Sequence, residues 1–358
     1  MRRPFKTQYE QDIRFWRQPS ARYWYGMLML ALVAIPMISG EFYVGELAGL
    51  FIFAIAGVGL MLLTGYTGLV SLGHSAFLGI GAYTEAILLA RGMPIYVTLP
   101  AAALVTGFAG VVIGIPTLRM SGLYLAIATL AFGSIVGTVL QKWEHVTGGF
   151  DGLPVKAPVV LGLKLDGPNG VYYMSLAVLV FVIWLAINVL RSPLGRAFVA
   201  IRDSEVSAQS MGINLALYKT ICFGLSAAIT GLAGGLFAHY VRHLAPDAFD
   251  VLLSIQLVTI VFVGGLGSLH GAIFGAMFMR LLPQGIALVR DDLPNWLGRM
   301  PGLEPSIFGL ILVLCIMYEP MGINGRWLKF KAYFKNFPMH KASAFRRQKS
   351  YAKSERLR

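Results

Sequence analysis

The chain has 358 residues, 56% of them hydrophobic and only 13% charged, with a mean hydropathy of +0.68 and a formal net charge of +13. That composition leaves too little polar surface to cover a water-soluble globule of this length, so lipid is its main solvent. Runs such as 171–190 are apolar on every face and outlast the roughly 10-residue alternating strands of a membrane barrel, which leaves spanning helices.

In chain order, residues 1–24 form a basic segment. The apolar block 25–39 follows with no small-residue cleavage pattern after it, so it reads as an uncleaved first span. Further spans are predicted at 46–63, 71–90, 95–115, 121–140, 171–190, 218–238, 252–266, 270–289 and 305–319. The expectation is an all-α polytopic membrane protein of about ten transmembrane helices over 25–320, followed by a basic tail, 321–358. The segments on one side are 1–24, the turns near Tyr66, Arg119 and Leu266, the loop 191–217 with Lys219, and the tail. They carry 22 of the 30 Lys and Arg, against 7 on the other side. Positive charge stays inside, so both termini are expected in the cytoplasm. The tail reads as a juxtamembrane basic stretch drawn to anionic membrane lipid, and no motif points to nucleic acid. Cys222 and Cys315 lie within apolar blocks, where a thiol behaves as a small hydrophobe, so neither a disulfide nor a metal site is expected.

Two segments resemble one another. In Gly68–Phe77 (GLVSLGHSAF) and Gly265–Phe274 (GLGSLHGAIF), Gly, Leu, Ser, Leu and Phe recur at the same offsets. Each is a glycine-rich connector leading into a new span, the kind of segment that borders solute paths in duplicated transporters. Six predicted spans separate the copies, so they would run parallel, whereas an inverted repeat needs an odd offset; either one span is miscounted or the likeness is a shared local packing motif. Close helix packing accounts for most of the 41 glycines. The outer segment 141–170 contains TGGFDGLP at 147–154, whose glycines and Asp151 read as turn chemistry, and it faces the side from which a binding protein would arrive.

The loop 191–217 interrupts the apolar pattern with a polar but helix-forming stretch bounded by Pro193 and Gly212. Ala197, Ala200, Ile201, Ala208 and Met211 are spaced to give one small apolar face, and Arg202, Asp203 and Glu205 are polar. A short amphipathic helix here suits docking to a soluble partner and equally suits lying on lipid.

Within that loop, Glu205-x-x-Ala208-x-x-x-Gly212 resembles the segment by which ABC importer permeases engage their ATPase. The run from Ser192 to Lys219 resembles the LivM-type branched-chain amino-acid permeases in particular. The likeness extends to Gly65–Tyr83 (GYTGLVSLGHSAFLGIGAY), Gly122–Ala126 (GLYLA), Thr147–Leu153 (TGGFDGL) and Gly264–Ser268 (GGLGS), and so covers most of residues 50–320. The resemblance implies the ABC importer permease fold and a pairing with a second, homologous LivH-type permease. It also implies two cytoplasmic ATPases, a periplasmic solute-binding protein and residence in the inner membrane. Carried over by position, Arg202, Glu205, Ala208 and Gly212 belong to the ATPase-coupling segment, and Gly65, Tyr66, Ser71 and His74 lie near the translocation path. Glu85 is a further path candidate, because similar permeases commonly have a small apolar residue there and an intramembrane carboxylate is costly. It stands near the outer end of its span, where snorkelling explains it as well. His74 is read mainly as a satisfied interfacial histidine, with no carboxylate or second histidine near it in sequence. Arg280 is expected near the outer interface, with Pro283 marking the end of its span.

The chain has no Gly-Lys dipeptide and hence no phosphate-binding Walker A loop, so ATP would be used by partner subunits and no cofactor is expected on this chain. It has no His-Glu-x-x-His and no Gly-x-Ser-x-Gly, which argues against an intramembrane enzyme. A stand-alone secondary transporter would place more ionisable groups in its spans. The expected cargo is a branched-chain amino acid (leucine, isoleucine or valine), with urea, short amides or aromatic acids as alternatives in the same type of permease.

Overall fold

The computed structural model describes residues 19–117, 120, 122–160, 163, 164, 167–290, a few positions between 306 and 317, and 322–336. Every span predicted up to residue 289 falls on a helix, while 305–319 lies largely outside the described residues, as do Arg119, Cys315 and most of the two basic ends. The helices are α1 (Pro19–Ile38), α2 (Glu41–Leu60), α3 (His74–Ala90), α4 (Ile95–Thr117), α5 (Leu123–Lys142), the single turn α6 (Glu144–Thr147) and α7 (Pro168–Arg191). They continue with α8 (Pro193–Asp203), α9 (Glu205–Ser210), α10 (Leu215–Val241), α11 (Val251–Gly264), α12 (Leu269–Arg290) and α13 (Gly322–Asn336). α2 runs on through a π-helical turn, Met61–Tyr66. Pro283 sits inside α12 instead of ending it, so that expectation is corrected: the helix passes through the proline.

Among the described residues, five helices are long and apolar enough to cross a bilayer. They differ in what surrounds them. In the most apolar stretch of Glu41–Tyr66, 89% of residues are buried, and in that of Leu215–Val241, 72%; for Ile95–Pro116, Leu123–Lys142 and Pro168–Arg191 the figures are 28%, 22% and 28%. α2 and α10 are therefore the central pair, and α4, α5 and α7 present apolar faces outward, as a chain bathed in lipid or paired with another subunit must. Small residues let the centre close up. A Cβ on Gly81 would overlap the backbone of Gly231, and one on Gly234 would overlap that of Leu78, so α3 and α10 meet backbone to backbone.

The connectors sort to two ends. At one end the turn after α2 meets the turn before α12, Tyr25 Oη lies 3.0 Å from His270 Nε2, and the start of α13 abuts Gly265. At the other end Leu153–Pro154 (β1) pairs antiparallel with His243–Leu244 (β4), while Val159–Val160 (β2) pairs with Leu163–Lys164 (β3). There Gln141 Nε2 donates to Asp247 Oδ1 at 3.0 Å, and Gly148, Gly149 and Gly152 take positive φ, the turn chemistry expected of them. The connectors gathered at the first end are ones that the positive charges assign to the inside. The two similar connectors share that end and lead into α3 and α12 in the same direction, so the copies run parallel.

Candidate functional site

The 191–217 segment folds as two short helices, where the sequence suggested one. Ser192 caps α8, its hydroxyl accepting from Leu194 N at 3.2 Å with Pro193 in the first turn, where its missing N–H is no loss. Ser204 adopts an extended conformation that breaks the helix and then caps α9 by accepting from Ser207 N. α9 ends in a Schellman motif: Gly212 at φ +84° donates its N–H to Gln209 O, and Ile213 N–H reaches back to Ala208 O.

The apolar face of α8 packs on the protein. Ala197, Phe198 and Ile201 are buried, and Phe198 enters a cluster with Leu63, Leu69, Leu125, Cys222 and Phe223, where the end of α2 meets the first turns of α5 and α10. Burying such a phenylalanine contributes roughly 1.5–3 kcal/mol. The alternative of a helix lying on lipid is thereby overturned for this face. Of the five residues assigned to it, Met211 is an exception: it is 80% exposed, because the break at Ser204 turns α9 away from the axis of α8. Val206 is equally exposed, so α9 shows two large apolar side chains to the outside among Ser207, Gln209 and Ser210.

Three of the four predicted coupling residues connect this segment to the bundle. Arg202 extends one guanidinium nitrogen to Gly65 O at 3.2 Å and pairs with Asp203 Oδ1 at 3.0 Å. Its side chain also lies against Gly68 and Gly267, so one arginine spans both glycine-rich connectors. Those connectors touch: a Cβ on Gly65 would stand 2.8 Å from Gly267 N. Glu205, at the first position of α9, where a carboxylate also favours the helix dipole, forms an ion pair with Lys219 Nζ at 2.7 Å. Ala208 is fully buried, and Gly212 meets open space, so its requirement is conformational. Glu205, Gln209, Gly212, Asn214 and Lys219 border a cleft of about 430 Å³ between α9 and the start of α10.

The path candidates separate into two groups. Gly65 and Tyr66 sit at the connector beside Arg202. Ser71 and His74 are fully buried, with His74 Nδ1 2.9 Å from Ser71 Oγ and Nε2 2.9 Å from Ser226 Oγ, which in turn donates to Gly59 O at 2.7 Å. The histidine is satisfied, but it is buried inside the bundle and not at an interface, holding α3, α10 and α2 together. Glu85 does not snorkel. It is fully buried between α3, α4 and α10, accepting from Thr98 Oγ1 at 2.6 Å and lying 3.1 Å from His239 Nε2. The short loop between α3 and α4 returns Thr98 to the carboxylate, and α10 supplies the histidine, so these partners within the bundle outcompete solvent. Sequence reading missed Lys219, Phe198 and His239. Only the first had a local signal, a single cation in the opening turn of an apolar helix. Among the described residues no group of three His, Cys, Asp or Glu is placed to hold a metal ion.

A model of the family described as "branched-chain amino acid transport system / permease component" matches residues 43–317. The chain belongs to that family. The permease is 32% identical, over 83% of its own length and 73% of the relative's, to the high-affinity branched-chain amino acid transport system permease protein LivM of Salmonella typhimurium, with the same figures for LivM of Escherichia coli K12. It is also 23% identical to the autoinducer 2 import system permease protein LsrC of Escherichia coli O157:H7, over 82% of this chain and 85% of the relative. No solved structure matches it. With its apolar helices, the permease is a multi-pass membrane protein of a transport family whose relatives carry more than one kind of solute.

Proposed function

We propose that this permease is the inner-membrane pathway subunit of an ATP-driven, binding-protein-dependent importer for branched-chain amino acids. It works with a homologous LivH-type permease, two cytoplasmic ATPases that hydrolyse the ATP, and a periplasmic solute-binding protein, while itself catalysing no reaction. Both termini and the α8–α9 segment face the cytoplasm, and about ten helices span the membrane.

The observation that carries this reading is the dual character of the α8–α9 segment. Its inward face is anchored by Phe198, by Arg202 on both connectors and by the Glu205 pair with Lys219, and its outward face offers Val206 and Met211. A soluble ATPase gripping α9 would move the ends of α2, α10 and α12 together through those three links. Closure of an ATPase dimer then rocks these helices and switches access from outside to inside.

The test is uptake of labelled leucine by vesicles holding this chain with its partner subunits and binding protein, for wild type, Glu205→Lys and Gly212→Asp. The expected result is uptake that requires ATP and binding protein and is lost in both variants. ATP-independent uptake would overturn the reading, and ATP-dependent turnover without leucine uptake would overturn the choice of cargo.

A further inference from the structure

An ion pair in the outer half of the bundle plays no part in the links just described. Glu46 stands in the second turn of α2, near the end opposite Gly65, and its Oε2 lies 3.2 Å from an Nη of Arg280 on α12. The same nitrogen donates to Tyr240 Oη at 2.6 Å. The guanidinium also lies over two aromatic rings, 5.6 Å from the centroid of Phe53 and 5.5 Å from that of Tyr240. It occupies a slot at Gly49, where any Cβ would overlap it. Its Nε is buried and has no hydrogen-bond partner.

We propose that Glu46 and Arg280, flanked by Phe53 and Tyr240, form a receiving site for the charged head of an α-amino acid at the outer mouth of the permease. This deepens the importer reading and rests on it. Ionisable side chains within apolar spans face either the bundle interior or a watery cavity. Here 23% of the Arg280 side chain and 29% of the Glu46 side chain remain accessible, so the pair is open to a solute from one side. The cation is the fixed half, wedged between two rings and a glycine, whereas Glu46 is held only at one turn of α2. An amino-acid zwitterion carries its carboxylate and ammonium on one carbon. It can therefore take Arg280 with the first and Glu46 with the second, exchanging one ion pair for two and leaving neither protein charge unpaired. A carboxylate that takes the place of Glu46 beside the guanidinium gains a charge-assisted hydrogen bond of the kind arginine favours. A pair that only held α2 to α12 would be served as well by two apolar side chains.

Two measurements test this. After Cys222→Ala and Cys315→Ala, a Glu46→Cys variant is treated from outside with a membrane-impermeant cationic thiol reagent, with and without leucine at a concentration raised at least about tenfold to offset the lost carboxylate. Labelling that leucine slows several-fold is expected; absence of labelling overturns the site. Leucine uptake and docking-stimulated ATP hydrolysis are then measured for Glu46→Gln, Arg280→Gln and the double variant Glu46→Gln/Arg280→Met. All three are expected to lose about tenfold or more in uptake with ATP hydrolysis kept. Wild-type uptake in the double variant would show a purely structural pair and overturn the proposal. If wild type lacks ATP-dependent uptake yet position 46 is labelled and protected by leucine, the importer reading fails and the receiving site stands.

Discussion

The Glu205–Lys219 pair gives the sharpest energetic prediction. Lys219 is 4% exposed and Glu205 41% exposed, with 2.7 Å between the charged atoms. Removing one partner of a fully buried pair costs about 3–5 kcal/mol, and an exposed pair is worth about 0–1 kcal/mol. One charge here is buried and the other half in water, so Glu205→Gln should destabilise by about 2 kcal/mol, chiefly because Lys219 is left in place without its counter-ion. Thermal inactivation of the purified protein in detergent is the suitable assay, since unfolding of a membrane protein is rarely reversible. If the pair is absent from the transition state, inactivation should quicken by about tenfold to thirtyfold at a fixed temperature. The double variant Glu205→Gln/Lys219→Met should recover most of that loss, giving a coupling energy of about 1.5 kcal/mol. Single-variant effects that add to within about 0.3 kcal/mol would refute the reasoning.

Two further predictions concern backbone geometry. Gly212→Ala should cost about 1 kcal/mol and Gly212→Asn clearly less, because φ is +84° and a Cβ would meet nothing within 4 Å, so strain alone is at work; equal inactivation rates for the two would contradict this. Gly81→Ala should destabilise by about 1–3 kcal/mol or reduce the yield of monodisperse protein, since its Cβ collides with the backbone of α10, whereas Gly137→Ala, which meets open space, should behave as wild type.

Much of the α8–α9 segment was legible because its devices are local. Ser192 with Pro193 and the closing Gly212 are read from adjacent residues, and the burial of Ala197, Ile201 and Ala208 follows from helical spacing. Met211 escaped because one extended residue, Ser204, reset the helical phase. Glu85 escaped because snorkelling is judged from distance to the span end, while its actual partner, His239, is 154 residues away. Arg280 was expected at the outer interface on the strength of a span end at Pro283; the helix runs on through the proline, and Arg280 is held by Glu46, Tyr240 and the slot at Gly49.

By itself the sequence determined the solvent, the helical class, the place of the helices up to residue 289 and the sorting of connectors by charge. These follow from composition, run length and charge, which are sums over neighbouring residues. Tertiary structure decided which helices are central, that Arg202 spans both connectors, and that the ionisable groups of the spans meet as Glu85 with His239 and Glu46 with Arg280. Those outcomes depend on which glycines face which backbones across helices far apart in the chain, and in an apolar sequence nearly uniform along each span no local pattern encodes that pairing.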